Sequence, residues 1–204
     1  MKTSSNTTRS ANNTSATIYD LLIADHRAVI ALLDQAISAS GKERRGLIDT
    51  IVDELTAHAT AEEALFYAPL ADAQDAKDKI GEANEEHLST ARLMSDLLDP
   101  TYTDDRIAAK LNVLKEQLEH HIEEEEEELF ALGRRHFDAQ TAEAMGGEFT
   151  AQKQVLMAMP LMVRVQEAIA KQMVESRAPD GVMGTVKKAA KKAAAAAMEA
   201  LDPR

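Results

Sequence analysis

Four long segments of the chain carry apolar residues at three- and four-residue spacing, which is the pattern of an amphipathic helix. Short breaks that contain glycine or proline separate the segments, which span residues 17–39, 42–67, 75–98 and 103–135. Short connections between long helices favour antiparallel neighbours. The sequence therefore predicts an all-α fold, an up-down-up-down antiparallel four-helix bundle over residues 17–137 with additional C-terminal helices.

The chain on either side of this bundle is predicted to be accessory. Residues 1–16 are polar and of low complexity, and we expect them to be disordered. Residues 179–204 form an Ala/Lys-rich tail with strong helix propensity but few large side chains to bury. Residues 138–178 predict shorter helices, whose methionines are apolar enough to pack against the bundle or a partner: Met145, Met157, Met159 and Met162.

Composition narrows the classes of function. Aromatic residues make up 3% of the chain and hydrophobic residues 45%, which favours helix packing over sheets. The net charge of −12 argues against a nucleic-acid partner, because neutralising phosphates supplies most of such affinity. The absence of cysteine excludes disulfides and thiolate metal sites. No apolar stretch approaches the roughly 18–20 residues of a membrane span, and the first residues lack an apolar signal segment, so we expect a cytoplasmic protein without a membrane partner.

One histidine falls on the apolar stripe of each predicted helix, and two of these histidines are followed by a glutamate four residues later. Residues four positions apart share one face of a helix, so each His-x-x-x-Glu step directs both side chains toward the core. Counting along the helices at about 1.5 Å per residue places the four histidines within a turn or two of one another. The sequence therefore predicts six metal ligands inside the bundle: His26, His58, Glu62, His87, His121 and Glu125.

The two glutamates are the strongest argument for a metal, because an ionised carboxylate in an apolar seam is costly unless it is paired or bound to a cation. Four imidazoles and two carboxylates that can bridge suit two cations, with room for water, oxygen or peroxide. This donor set fits iron best and manganese next, whereas structural zinc sites are usually tetrahedral and often rich in cysteine. We expect residues 17–137 to fold and bind metal unaided. In metal-free protein, repulsion and burial should raise the pKa of both Glu62 and Glu125.

Several nearby residues have a plainer interpretation. His120 lies one position off the stripe, so helical phase favours His121 as the ligand. Residues 123–128 are mostly a solvated acidic face. His136 falls at the C-terminal end of the fourth helix, where a cation is favourable, so we expect it to cap that end. Tyr67 follows the second motif and is expected to close the core, although it could reach the site.

Together these residues resemble the hemerythrin-like HHE cation-binding domain family. The motifs that carry the resemblance, over about residues 18–137, are Asp-His-Arg around His26, His-x-x-x-Glu-Glu from His58, the single His87, and His-His-x-x-x-Glu-Glu-x-x-Leu-Phe from His120 to Phe130. The resemblance implies an up-and-down four-helix bundle with a di-iron centre that is bridged by oxo or hydroxo groups and by Glu62 and Glu125. It assigns the six residues named above as ligands.

The chain departs from oxygen-carrying hemerythrins on the third helix. Those proteins place a second histidine four residues after the first, and here that position holds Ala91. The resemblance then implies a more open coordination sphere. It points to members implied in iron or oxygen sensing and in oxidative or nitrosative stress responses, and away from simple oxygen transport.

Four functions follow as hypotheses. The first is a di-iron protein that binds or senses oxygen, peroxide, nitric oxide or iron, and the second is a di-iron enzyme that decomposes peroxide or oxidises Fe(II). The third, a ferritin-like protein, requires Glu-x-x-His, and no histidine here has a glutamate three residues before it. The fourth is a structural bundle without metal. The sequence leaves the physiological ligand and the oligomeric state open.

Overall fold

The structure is a computed structural model that describes residues 15–159, and all regular elements in this range are helical. The second helix, Gly41–Glu62, continues through a π-helical turn at Glu63–Tyr67 to Ala68–Leu70, and the fourth, Asp104–Glu124, continues through a π-helical turn at Glu125–Leu129 to Phe130–His136. The predicted all-α bundle is confirmed. The helices are α1 Ile18–Ser38, α2 Gly41–Glu62, α3 Lys77–Leu97, α4 Asp104–Glu124 and α5 Ala139–Met157. The expectations for residues 1–14, for Met162 and for the Ala/Lys-rich tail lie outside the described residues.

A capping box begins α1, and a glycine turn joins α1 to α2. Thr17 caps α1: its hydroxyl accepts the N–H of Asp20, whose carboxylate accepts the N–H of Thr17 in return. The tight turn into α2 uses Gly41 at a φ of 57°, a conformation that glycine adopts without the steric cost of a side chain. Two helices joined by so short a turn must run antiparallel.

The sequence predicts that Pro69 ends the second helix, but α2 continues to Leu70. Proline lacks an N–H, and its ring normally collides with the carbonyl one turn earlier. In α2 the turn before the proline is the wide π turn, which loosens the backbone at that point. The helix therefore extends past the proline before it ends.

The core has three layers along the bundle axis. One apolar cluster, with Val29, Leu55 and Leu118, fills one end, and a second, with Leu22 and the aromatic rings of α2 and α4, fills the other. The buried histidines and the two inner glutamates lie between these clusters on all four bundle helices. The apolar ends thus hold the helices at the separation that the polar middle layer requires.

Helix α5 packs against α1 and α2 outside the bundle. Gly146 allows this close approach, because a β-carbon at that position would collide with backbone atoms of Ala16 and Thr17. Phe149 is buried and lies edge-on to the imidazole of His58, with ring centroids 6.0 Å apart. The predicted packing of accessory C-terminal residues against the bundle is therefore observed for this helix. No helix among the described residues is long and apolar enough to cross a membrane.

Candidate metal centre

The structure brings all six predicted ligands together in the polar middle layer of the bundle. Each side chain is buried, with a relative exposure of 7% or less. The two histidines that the sequence analysis did not predict as ligands lie outside this layer. His120 is 64% exposed, and His136 pairs at the surface with Asp75. Helical phase therefore separates the buried set from its histidine neighbours as the sequence predicts.

Glu62 lies between two groups of histidines. Its Oε2 atom is 3.5 Å from Nε2 of His58 and 3.6 Å from Nε2 of His87. Ligand atoms of Glu62, His26 and His58 lie within 4.8 Å of one another, and so do those of Glu62, His87 and His121. Each group can surround one cation, and the Glu62 carboxylate belongs to both groups.

Glu125 completes the inner set from the opposite helix. Its Oε2 atom lies 3.2 Å from Nε2 of His26. On the other side of the site, the Nε2 atoms of His87 and His121 are 3.1 Å apart, so at most one of them carries a proton. The inner surface is thus formed by imidazole Nε2 atoms and carboxylate oxygens.

Four outer carboxylates orient the four inner histidines, and each comes from the preceding helix of the bundle. Such a partner fixes the tautomer, because an imidazole that donates its Nδ1–H leaves a lone pair on Nε2. The bonds form a ring through the helices: Asp25 of α1 accepts from His58 of α2 at 3.1 Å, Glu63 of α2 from His87 of α3 at 3.0 Å, Glu86 of α3 from His121 of α4 at 2.8 Å, and Glu126 of α4 from His26 of α1 at 3.0 Å.

The buried polar atoms of the inner set fit a bound metal pair. Nε2 of His26 and all four carboxylate oxygens of Glu62 and Glu125 are buried without a hydrogen-bond partner. An unsatisfied buried polar atom costs about 1–3 kcal/mol, and more when it is charged. Cations bound by these atoms would remove that cost, and the mixed nitrogen and oxygen donors suit iron or manganese.

The two inner glutamates differ in protonation. Burial and the nearby carboxylate of Glu125 raise the pKa of Glu62 well above its usual range. Burial also acts to raise the pKa of Glu125, but contacts with Glu62, His26 and His121 outweigh it and hold that pKa below its usual range. The prediction that both pKa values rise is wrong for Glu125, because a protonated neighbour and two imidazoles stabilise its ionised form. In metal-free protein Glu62 is therefore the inner glutamate that takes up a proton more readily.

The histidines are also shifted in different directions. Burial lowers the pKa of His58 to about 4, against the opposing effect of Asp25. Burial likewise lowers the pKa of His121. Burial alone would lower the pKa of His26, but Glu125 and Glu126 outweigh it and raise that pKa. His58 and His121 are therefore neutral at neutral pH, which is the form of imidazole that binds a cation.

Each His-x-x-x-Glu helix widens into a π turn at its inner glutamate: the turn begins directly after Glu62 in α2 and at Glu125 itself in α4. At the end of each turn a backbone N–H donates to the carbonyl five residues earlier. Such turns are rare and frequently lie at functional sites. At both turns, two consecutive carboxylates serve the centre: Glu62 and Glu63 are both buried, and Glu125 and Glu126 both contact His26.

The sequence left two roles open for Tyr67, closing the core or reaching the site, and its ring lies against His87 of the centre. The ring is stacked on His87 with centroids 5.5 Å apart, and its buried hydroxyl has no hydrogen-bond partner among the described residues. Burial and the surrounding carboxylates, Glu125 foremost, raise the pKa of the phenol. The phenol is therefore protonated in metal-free protein, and it lies near the carboxyl groups of Glu62, Glu63 and Glu125.

A cavity of about 570 Å³ is lined in part by the four histidines. Most of its other lining is apolar, with Val29, Leu55 and Met94 among the side chains. Ala91, one helical turn after His87, also lines this cavity, so the short side chain leaves space beside the imidazoles. The cavity can admit a small uncharged molecule to the centre.

Helix α5 contributes a lysine that the sequence alone did not connect with the site. Nζ of Lys153 donates to Oδ2 of Asp25 at 2.6 Å and contacts Glu54 at 2.9 Å. The same Asp25 oxygen accepts the Nδ1–H of His58. Burial acts to raise the pKa of Asp25, but hydrogen bonds from His58 and Lys153 outweigh it and lower that pKa. Lys153 thus keeps the outer partner of His58 ionised.

Substitution of Lys153 by methionine should weaken metal binding about tenfold, the low end of the 10–100-fold range found when outer partners of metal-bound histidines are lost. The measurement is a metal titration of full-length protein in competition with a chelator. Lys115→Met is the matched control, because Lys115 forms surface pairs with Asp34 and Glu119. Equal affinities in the two variants would contradict a role of α5 in the site.

That residues 17–137 suffice for metal binding stays a prediction. The contacts of Lys153 with Asp25 and Glu54 lead us to expect weaker binding without α5.

Comparisons with known proteins agree with the helical fold. Residues 17–132 match the sequence model of a family described as Hemerythrin HHE cation binding domain. The structure is similar to the crystal structure of a Hemerythrin HHE cation binding domain-containing protein, an Rv2633c homolog from Mycobacterium kansasii, with a TM-score of 0.58 and 24% sequence identity. The similarity covers 77% of this chain and 99% of that chain, and at this identity it shows the fold alone. No curated protein sequence matches the chain significantly.

Proposed function

The chain belongs to the hemerythrin HHE cation-binding domain family, and on that premise we propose that it holds two iron ions and binds or senses oxygen, peroxide, nitric oxide or iron. The observation that carries the proposal is the set of inward-facing Nε2 atoms around the partnerless carboxylates of Glu62 and Glu125. Two ions with oxo or hydroxo and carboxylate bridges would satisfy these atoms. Manganese is the next candidate for the same donors.

Three sets of residues would have different roles at this centre. The histidines and inner glutamates would hold the ions, the outer carboxylates orient the imidazoles, and the apolar cavity gives a small neutral ligand access while disfavouring bulk water. When bound, iron would supply affinity for oxygen, peroxide or nitric oxide. The space beside Ala91 supports the expectation of a more open coordination sphere.

The experiment is metal analysis with an optical spectrum of aerobically purified protein and of histidine variants. We expect about two irons per chain, with near-ultraviolet charge-transfer bands. His58→Ala and His121→Ala should lose stoichiometric iron, whereas His136→Ala should keep it, because His136 lies at the surface beside Asp75. Equal iron in all three variants would contradict the assigned site. Loss of iron in His120→Ala with retention in His121→Ala would contradict the assigned helical phase.

A second candidate is an enzyme that decomposes peroxide or oxidises Fe(II). The observation that favours it is the cavity, which is lined in part by the four histidines. Sustained decomposition of peroxide at a constant rate per centre would support an enzyme. A stable spectral change that reverses on removal of the ligand, without turnover, would support a binding protein or sensor.

A further inference from the structure

A second group of possible metal ligands lies at the surface beside the inner centre. It consists of Glu86 on α3 and of His120 and Glu124 on α4, and one ligand atom from each lies within 4.8 Å of the others. Nε2 of His120 is 3.7 Å from Oε1 of Glu124, the same i,i+4 step as the inner pairs, moved by one residue. The side chains of Glu86 and Glu124 are about one quarter to one third exposed, so solvent reaches the group. One imidazole and two carboxylates are suitable donors for a divalent transition-metal cation.

A narrow pocket connects this surface group to the inner centre. Its volume is about 10 Å³, and its lining includes Glu86 and Glu124 of the surface group and His121 and Glu125 of the inner centre. Lys79 also lines it, and Nζ of Lys79 is paired with Glu128 at 3.0 Å and with Glu82 at 3.4 Å. The pocket has about the space of one water molecule, so it suits a cation that has lost most of its hydration shell. The Glu125 carboxylate that lines this pocket is 1% exposed, and neither of its oxygens has a hydrogen-bond partner. A buried carboxylate that lies 3.2 Å from His26 but meets no hydrogen-bond criterion therefore lines this pocket.

Glu86 joins the two sites chemically. Its Oε2 atom accepts the Nδ1–H of His121 at 2.8 Å, and the same carboxylate takes part in the surface group. A cation at the surface would therefore lie next to the residue that orients an inner histidine. Glu86 and Glu124 of the outer group line the same small pocket as Glu125 of the inner centre.

We propose that Glu86, His120 and Glu124 form an uptake site that binds a divalent cation, Fe(II) in particular, and passes it to the inner centre. The proposal rests on the proposed function, since the inner centre must hold metal for the uptake site to serve it. The outer site should bind weakly, because its donors are few and partly solvated. It should accelerate loading without changing the final metal content of the inner centre.

The test uses metal-free, full-length protein and two measurements. Titration with Mn²⁺, followed by the electron paramagnetic resonance signal of free Mn²⁺, should give two tight ions and one weak ion per chain. His120→Ala and Glu124→Gln should lose the weak ion and keep both tight ones. Mixing with Fe(II) under anaerobic conditions should then load these variants at least about tenfold more slowly than wild type, with the same two irons at the end point.

Glu123→Gln is the matched control, because it removes the same charge from an exposed neighbour of Glu124 on the same helix. It should keep the weak ion and the wild-type loading rate. Weak Mn²⁺ binding that is equal in all variants would overturn the outer site, and loss of the weak ion without slower loading would overturn its uptake role. Absence of both tight ions from wild-type protein would instead count against the proposed function, while the weak ion would still report on the outer site.

Discussion

Replacing Glu62 with glutamine should abolish tight binding of two metal ions per chain while leaving the fold intact. Among the described residues, Glu62 belongs to both inner groups of ligand atoms, one with His26 and His58 and the other with His87 and His121. Glutamine has the same size but lacks the charge that would bridge two cations. The loss of affinity should therefore exceed the roughly 10–100-fold that follows from removing an outer partner.

The metal-free Glu62→Gln protein should be at least as stable as metal-free wild type. Burial and Glu125 raise the pKa of Glu62 well above its usual range, so the neutral amide resembles the form that the folded chain already prefers. The measurements are metal content after dialysis and thermal unfolding without metal. A variant that unfolds at a lower temperature without metal would indicate a structural role for the carboxylate.

Glu63→Gln provides a control one residue further along α2. The Glu63 carboxylate accepts the Nδ1–H of His87 and orients it, so this variant should still bind two ions, but about 10–100-fold more weakly. Two tightly bound ions in Glu62→Gln would show that Glu62 does not bridge the centre. The same loss in both variants would mean that inner and outer carboxylates are not distinguished by the geometry described above.

The fold and the burial of the six candidate ligands could be predicted because one physical rule governs both. A helix buries residues at three- and four-residue spacing, so His58 and Glu62 had to face the core if Leu55 did. The same rule separates His121, which is buried, from His120, which is exposed. Periodicity therefore determines both the apolar core and the polar residues placed within it.

The outer carboxylates escaped prediction because they lie beside the core stripe and not on it. Asp25, Glu63, Glu86 and Glu126 each adjoin an inner ligand in sequence, and this adjacency is the signal that could have identified them. In an acidic chain most such neighbours are solvated, as the run of residues 123–128 illustrates. Whether such a carboxylate contacts a histidine depends on how the neighbouring helix packs against its own. Helix packing is tertiary structure, which the local sequence pattern does not give.

The π turns and the role of α5 were also beyond sequence reasoning. No residue pattern distinguishes a backbone bond over five residues from one over four, so the widening at Glu62 and Glu125 could not be read from either motif. The apolar pattern of residues 138–178 suggested packing but named no partner. The hydrogen bond from Lys153 to Asp25 spans 128 residues, and only the folded chain brings these two groups together.

The stabilisation conferred by metal should disappear as the pH falls from about 8 to about 5, while metal-free protein changes much less. In the metal-free state, the raised pKa of Glu62 and of His26 means that the folded chain holds protons that the unfolded chain releases. Their stabilising contribution is fully present below the unfolded pKa values of about 4.3 and 6.5 and is lost as the pH rises through the folded ones. These two groups favour metal-free protein at lower pH.

The lowered pKa values of His58 and His121 act in the opposite direction. Their contribution is present above the unfolded value of about 6.5, and for His58 it is lost as the pH falls toward its folded pKa of about 4. The opposing contributions should give metal-free protein a shallow stability maximum at mildly acidic pH. The maximum arises because folding raises the pKa values of Glu62 and His26 and lowers those of His58 and His121.

Metal-loaded protein should lose stability steadily over the same range, because each ion requires imidazoles and carboxylates without protons. The difference between loaded and metal-free protein should fall by about 1.4 kcal/mol per pH unit for each proton that the metal displaces. The measurement is thermal unfolding of both forms between pH 8 and pH 5, together with titration calorimetry in two buffers to count released protons. The raised pKa of Glu62 adds to that count, so a value of zero together with parallel unfolding curves would contradict a single buried site formed by these six residues.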